Sequence, residues 1–394
     1  MNILNDVVII GAARTPQGRL MGQLSALSAV QLGAAAIGGA LAQAKIAPHA
    51  VQAVIMGQAL QARAGQNPAR QAARAAGIPL DAHSVTINKV CLSGLSAIID
   101  GRRMLRLGEA EVVVAGGQES MSKAPHVLPG SRSGHLYGNA GLIDSAAHDG
   151  LTDAFSQEAM GQATDKENEA YRIGRDEQDR FAAASHQRAS RAQASGLFGA
   201  EIVPVEVPRR REKELITRDE GVRADSSTDT LGKLKPAFSP DGSVTAGNAS
   251  PLNDGAAAVV LTTREYALAN GYEILASVAG AGQIAGPDTW LSDKPGRAIQ
   301  AALKSAGWTA SGVDFIEINE AFSSVVLHSA SLLGVDLERV NINGGAVALG
   351  HPLGASGARV VVTAVHELLR RGTGRAAVGL CGGGGQGDAL LLSR

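Results

Sequence analysis

Val51-Gln52-Ala53-Val54-Ile55-Met56-Gly57-Gln58-Ala59 returns late in the chain as Val313-Asp314-Phe315-Ile316-Glu317-Ile318-Asn319-Glu320-Ala321. The echo does not stand alone. Val85-Thr86-Ile87-Asn88 corresponds to Val340-Asn341-Ile342-Asn343, and each leads through small residues to a helix. Glu111-Val112-Val113-Val114-Ala115-Gly116-Gly117-Gln118 corresponds to Ala377-Val378-Gly379-Leu380 and the glycines after it. The pieces keep the same order in both halves. The chain therefore reads as one α/β unit duplicated, not as a solenoid, whose period is far shorter. Ala-rich amphipathic stretches from Ser28 to Ala44 and from Lys294 to Ala306 predict helices between the strands. Such alternation implies mixed or parallel sheets covered on both faces.

The middle of the chain, Met121 to Ser250, departs from this pattern. It holds Gly/Ser/His-rich loops from Pro129 to Gly141 and a charged helical stretch from Asp165 to Ser195. The basic cluster Arg209-Arg210-Arg211 and a polar loop through Thr230 follow. A large insertion on the first unit is expected here, and long inserted loops usually carry binding function. The apolar run Ala256-Ala257-Ala258-Val259-Val260-Leu261 is expected to return the chain to the first core. The expected division is residues 1–120 as the N-terminal core unit and 121–250 as the inserted loop domain. Residues 251–274 then return to the first core, and 275–394 form the C-terminal unit.

Composition bounds what such a chain does. At 394 residues, 45% hydrophobic and 19% charged, it has ample material for a buried core in two or three domains. Aromatic residues make up only 3%, which argues against platforms that stack nucleic-acid bases. A net charge of −1 provides no global field for nucleic acid or an anionic membrane, so a polyanionic ligand needs a local basic patch. The start, Met1-Asn2-Ile3-Leu4-Asn5-Asp6, lacks a basic leader and runs straight into Val7-Val8-Ile9-Ile10. No apolar stretch approaches the roughly 18–20 residues that span a bilayer. With only two cysteines, a reducing cytoplasmic location is the expectation.

Both cysteines sit in special backbone settings. Cys91 follows the β-like stretch Ser84 to Val90 and opens Cys91-Leu92-Ser93-Gly94-Leu95-Ser96-Ala97. A helix starting there would set the sulfur over free N–H groups and favour the nucleophilic thiolate. A lone cysteine is otherwise a common core residue. Cys381 lies in Leu380-Cys381-Gly382-Gly383-Gly384-Gly385-Gln386-Gly387. It fills a glycine turn, lines an anion nest, or exchanges protons. His351, within Gly350-His351-Pro352-Leu353-Gly354-Ala355-Ser356-Gly357, is either a turn residue or a base brought close by flexible backbone. Asn319 is either a helix cap or an amide that fixes a water or an oxyanion. All four sites end strands that correspond across the repeat, where α/β proteins assemble active sites.

At these blocks the chain resembles the thiolases, over essentially its whole length. The matching segments are Asn88-Lys89-Val90-Cys91-Leu92-Ser93-Gly94, Ala115-Gly116-Gly117-Gln118-Glu119-Ser120-Met121, Asn319-Glu320-Ala321-Phe322, Gly344-Gly345-Ala346-Val347-Ala348-Leu349-Gly350-His351-Pro352 and Cys381-Gly382-Gly383-Gly384-Gly385. The resemblance implies an α/β thiolase fold: duplicated βαβαβαββ units in a five-layered α-β-α-β-α core with an inserted loop domain. It implies an acyltransferase that condenses two acetyl-CoA to acetoacetyl-CoA and CoA, reversibly, through an acetyl-cysteine. Cys91 is then the nucleophile and His351 the base that later joins an oxyanion hole with a water on Asn319. Cys381 shuttles a proton, and the N–H groups of Cys91 and Gly383 form a second oxyanion hole.

Coenzyme A is implied as substrate and product, met by Arg223, Ser250, Met160, Phe238 and Phe322, with no tightly bound cofactor and no metal. For Arg223 the alternative is a solvated charge. A homotetramer, as a dimer of dimers, is the implied assembly. The chain also departs from the family pattern. Leu92 stands where glycine is commonest after the nucleophile, and Gly382 where isoleucine is usual. Ala159 replaces a histidine that contacts pantetheine in acetoacetyl-CoA members, whereas Met160, a wall of their short acyl pocket, is kept. Rival readings are a broader 3-ketoacyl-CoA thiolase of fatty-acid degradation and, from another class, a non-catalytic acyl-CoA or lipid carrier. Decarboxylating ketosynthases pair their cysteine with other partners, and Cys381 speaks against them.

Overall fold

The computed structural model describes residues 6–210 and 212–394; Met1–Asn5 and Arg211, the last of the arginine cluster, lie outside the described residues. The first unit supplies β1 (Val7–Arg14), α1 (Ala29–Ala44), β2 (Ala53–Gly57), α2 (Pro68–Ala75), β3 (His83–Ile87), α3 (Ser93–Leu107) and β4 (Val112–Ser120). Two long helices, α4 (Met160–Tyr171) and α5 (Arg175–Ala194), follow before β5 (Asn253–Thr263) re-enters the core. The second unit runs β6 (Ala276–Ala285), α6 (Lys294–Ala306), β7 (Phe315–Ile318), α7 (Ser323–Leu333), α8 (Leu353–Arg371), β8 (Arg375–Gly382) and β9 (Gln386–Ser393). Among the described residues no helix is long and apolar enough to cross a membrane.

The strands hydrogen-bond in the order β7-β8-β9-β6-β1-β5-β4-β2-β3. Pairing is parallel between β2 and both β3 and β4, and between β7 and β8; the other neighbours along this path are antiparallel. Successive side chains of a strand face opposite ways, so each strand feeds two cores. Val8 and Ile10 of β1 pack with α1 and α2 on one outer face, whereas Val7 and Ile9 point to a central core shared with α3 and α8. On the far side, Ile316 and Ile318 of β7 pack with α6 and α7. Outer helices, sheet, central helices, sheet and outer helices make the five layers.

Local chemistry explains the element ends. Ser28 caps α1 through a reciprocal bond with Gln31, and Lys45 closes it in the left-handed region. The charged stretch expected as one helix is two, α4 and α5, because Arg172 turns left-handed at φ 57° before Gly174. The run Ala256–Leu261 does return to the first core, pairing with both β1 and β4. One strand of the repeat is missing: Val340 forms only an isolated bridge to Ile316. Asn341 sits at φ 49°, and its side-chain amide accepts from Ile318 N–H and donates to Ile318 C=O, both at 2.8 Å. A side chain thus takes over the hydrogen bonds that a fully formed strand would make.

The segment between β4 and β5 is anchored to the core by charge. Fully buried Arg14 at the end of β1 binds Glu201 at 2.7 Å and Asp219 through two bonds of 2.7 and 2.9 Å. Removing one partner of such a buried pair typically costs about 3–5 kcal/mol.

Candidate active site

The N-terminal turns of α3 and α8 meet at the centre of the molecule. A β-carbon on Gly94 would stand 2.8 Å from the Gly354 carbonyl oxygen, and one on Gly357 would stand 2.4 Å from the Leu95 nitrogen. Only glycine at both positions lets the two helices approach this closely. The approach brings the loop before α3, with Cys91, against the loop before α8, with His351. The Cys91 loop is held tightly. Lys89 reaches Asp388 of β9 at 2.7 Å, and Ser96 donates to the same carboxylate at 2.5 Å. Val90, a β-branched residue, is forced to φ 51°, and Ser93 Oγ donates to its carbonyl at 2.6 Å.

Cys91 and His351 both border a cavity of about 600 Å³. Cys381, Gly383, Met160 and Phe322 line it too, and Ser250, Phe238 and Arg223 also border it. Asn319 is fully buried behind the wall, with its side-chain nitrogen 3.3 Å from His351 Nδ1. Met160, Phe322 and Cys381 belong to one apolar cluster, and all three line the cavity. Phe238 and Arg223 are exposed, and Ser250 donates its hydroxyl proton to the Ala321 carbonyl at 2.9 Å. The segment 249–252 bridges to Phe322 on one side and to His351 on the other, tying both loops to one strip of backbone.

Both cysteines are free. The expectation of a helix-lowered thiol does not hold. The helix begins at Ser93 with Leu92 as its cap, and burial pushes the Cys91 thiol up to about 12 against the opposing pull of the Gly383 and Cys91 N–H groups. Cys381, 1% exposed, is raised well above the usual thiol range by burial and by the neighbouring Cys91. His351 is lowered to about 3, first by burial and then by the Arg359 guanidinium. The resting site therefore holds two neutral thiols and a neutral imidazole.

Two groups face His351 Nδ1, the Ser356 hydroxyl and the Asn319 side-chain nitrogen. The Ser356 Oγ lies 2.9 Å from the Pro352 carbonyl oxygen, which can only accept, and 2.6 Å from His351 Nδ1. With the hydroxyl proton on Pro352, the Oγ at 2.6 Å is the acceptor that an Nδ1–H requires, whereas the Asn319 nitrogen stands farther off at 3.3 Å. His351 Nε2 is then left bare, buried and without a protein partner. Glu119 is a second residue not anticipated from the sequence. Its carboxylate accepts from the N–H groups of Ala59, Leu60 and Gly354, joining β4 to the first turn of α8. Burial outweighs these three donors and raises it to about 7. Ser356 stands one residue from the glycine of the histidine motif, where an i−4 hydroxyl-to-carbonyl bond at a helix start was the available signal.

Residues 7–265 match the family model described as thiolase, N-terminal domain, and residues 272–394 match that described as thiolase, C-terminal domain. The chain belongs to the thiolase family. It is 50% identical over 388 residues to a probable acetyl-CoA acetyltransferase of Mycolicibacterium smegmatis, covering 98% of this chain and 100% of the relative. It is 49% identical over 392 residues to an acetyl-CoA acetyltransferase of Pseudomonas aeruginosa, covering 99% and 100%. The crystal structure of the Bacillus anthracis acetyl-CoA acetyltransferase superposes with a TM-score of 0.97 at 39% identity, over the full length of both chains.

Proposed function

We propose that this chain is an acetyl-CoA C-acetyltransferase, joining two acetyl-CoA into acetoacetyl-CoA and CoA in a reversible condensation. The observation that carries the reading is the convergence of two free thiols and a bare, buried imidazole nitrogen on one cavity. As the Cys91 sulfur attacks the thioester carbonyl, His351 Nε2 takes the thiol proton. The carbonyl oxygen, now negative, is met by the N–H groups of Cys91 and Gly383. The carbon–sulfur bond to CoA breaks, CoA takes the proton of Cys381, and an acetyl-cysteine remains. The Cys381 thiolate then removes a proton from the methyl group of a second acetyl-CoA. The enolate oxygen is held by the protonated His351 and by a water on Asn319. Attack of the enolate carbon on acetyl-Cys91 forms the new carbon–carbon bond, and His351 returns its proton to the Cys91 sulfur. Splitting the reaction at a covalent intermediate lowers each barrier and predicts ping-pong kinetics.

The raised pKa of Cys381 suits this cycle, since its thiolate is a strong base formed only beside the imidazolium. Residues 121–250 carry the CoA arm, with Arg223 toward the adenine end and Ser250 and Phe238 along the pantetheine. Assembly as a dimer of dimers is supported by the half-exposed edge strand β3, with Val85 at 48%, and by fully exposed Leu136 and Tyr137. Two catalytic thiols suit a reducing cytoplasm.

Two measurements test the reading. Incubation with acetyl-CoA adds one acetyl group at Cys91, and labelling that survives in Cys91→Ala refutes the assignment. Thiolysis across 3-ketoacyl-CoAs then sets the chain length. Each buried methylene is worth about 0.8 kcal/mol in an open pocket, whereas overpacking against a wall costs about 1–3 kcal/mol. With Met160 as the wall, the four-carbon substrate exceeds the eight-carbon one by at least about tenfold in kcat/KM, roughly 1.4 kcal/mol. Equal rates point instead to a degradative 3-ketoacyl-CoA thiolase.

A further inference from the structure

The two thiol-bearing segments touch through Leu92 and Gly382, which follow Cys91 and Cys381 respectively. Leu92 is fully buried in the central core. A β-carbon built on Gly382 would stand 2.6 Å from Leu92 Cγ and 2.9 Å from its Cδ1. Apolar carbons rest about 4 Å apart, so a side chain at 382 forces the fully buried Leu92 side chain, or the segment that carries it, to shift by roughly an ångström. At Gly383, one residue on, an added β-carbon would find ordinary space, with Val90 3.7 Å away. The tight contact is therefore confined to the residue between Cys381 and Gly383. Its neighbour Gly383 presents the N–H that acts on the Cys91 sulfur.

We propose that Leu92 and Gly382 form one spacer, a pair of positioning residues that sets how closely the Gly383 N–H and the Cys381 thiol approach the Cys91 sulfur. The leucine side chain fills the volume that a side chain at 382 would claim. The glycine lets the β8 end settle against it. The proposal rests on the acetyl-transfer reading above. Leu92 lies outside the cavity lining, and a side chain at 382 would point at Leu92, although the Gly382 backbone borders the cavity. The effect of the pair passes through Gly383 and the two cysteines.

The volumes of leucine and isoleucine are alike, so Leu92→Gly combined with Gly382→Ile exchanges the side chain between segments without changing the total. Gly382→Ile alone overfills the contact, and Leu92→Gly alone empties it. A misplacement of about 1 Å costs about 100-fold in rate, so each single variant is expected to slow acetylation of Cys91 by tenfold or more, on the order of that figure. The exchange variant is expected to recover to within about threefold of the unaltered protein, the coupling that contacting residues show.

A purely structural role would lower the melting temperature and leave the kinetic split untouched. The spacer role predicts that kcat for thiolysis falls while KM for CoA changes by less than about twofold, because the CoA-facing residues are not involved. Should Gly382→Ile fail to fold, Gly382→Ala with and without Leu92→Ala asks the same question with a smaller overlap. Losses that simply add in the double variant overturn the spacer. An unaltered protein that never takes an acetyl group overturns the functional reading and the spacer with it. An unaltered protein that is acetylated, beside additive losses, overturns the spacer alone.

Discussion

Removing one hydroxyl, in Ser356→Ala, tests whether the proton on His351 is placed by its neighbour. With the proton assigned to Nδ1, the imidazole donates to Ser356 Oγ at 2.6 Å, and the hydroxyl passes its own proton to Pro352 at 2.9 Å. Without the oxygen, the buried N–H faces only the Asn319 side-chain nitrogen, itself a donor, a state that costs about 1–3 kcal/mol. The imidazole escapes that cost by moving its proton to Nε2, and an Nε2–H cannot accept the Cys91 proton. Recovering the active tautomer before each attack then requires the same energy. At about 1.4 kcal/mol per tenfold, acetylation slows by roughly 5- to 100-fold. The assay is rapid-quench capture of labelled acetyl-enzyme from acetyl-CoA, with the melting temperature followed in parallel. Ser356 is buried on α8 and does not line the cavity, so KM for acetyl-CoA stays within about twofold. A folded variant that acetylates within about twofold of the unaltered protein refutes the tautomer argument.

Two further outcomes follow from the same chemistry. Cys381→Ala should still reach full acetylation at Cys91, because CoA can leave as its thiolate, yet condensation should fall on the order of 10²–10⁴-fold, the usual contribution of one positioned acid–base group; near-normal condensation would return Cys381 to a packing role. Burial holds Cys91 as a thiol up to about 12, so its thiolate fraction grows about tenfold per pH unit below that value. Alkylation by iodoacetamide, mapped to Cys91 by peptide mass, should therefore rise without a plateau between about pH 7 and 10; a plateau below about pH 9 would show a lowered thiol instead.

The duplication and the strand ends were legible because buried strands leave apolar runs in a fixed order, and those runs mark β2, β4, β7 and β8 directly. The helix from Lys294 to Ala306 was legible to the residue, since its amphipathic period ends at a glycine. The missing strand at Val340 was not, because Val340-Asn341-Ile342-Asn343 has strand composition. What overrides it is the hydrogen bonding of a single side chain, Asn341. The charge state of Cys91 escapes the sequence for a related reason. A strand–turn–helix pattern announces a helix N-terminus, but the depth of burial depends on β8, the Met160 segment and α8, all distant in sequence. Ser356 and Glu119 were invisible as site residues. Their importance lies in which backbone groups and ring atoms they meet across the fold, and residue type alone does not carry that. The reciprocal contact of Leu92 and Gly382 likewise becomes visible only when positions far apart in the chain are set side by side.

The ladder between β1 and β6, where Val8 pairs with Ser277 and Ile9 with Ala276, fuses two half-sheets into one. Cys91 hangs from the first half and His351, Asn319 and Cys381 from the second, so neither half holds a working set of groups. Were the halves separate molecules, the population of complete sites would fall with dilution, as any bimolecular complex does. A continuous chain and a shared sheet turn that encounter into an intramolecular one, with an effective concentration set by tether length and immune to how much protein the cell makes. The groups proposed above are thereby brought together by folding alone, before a substrate arrives.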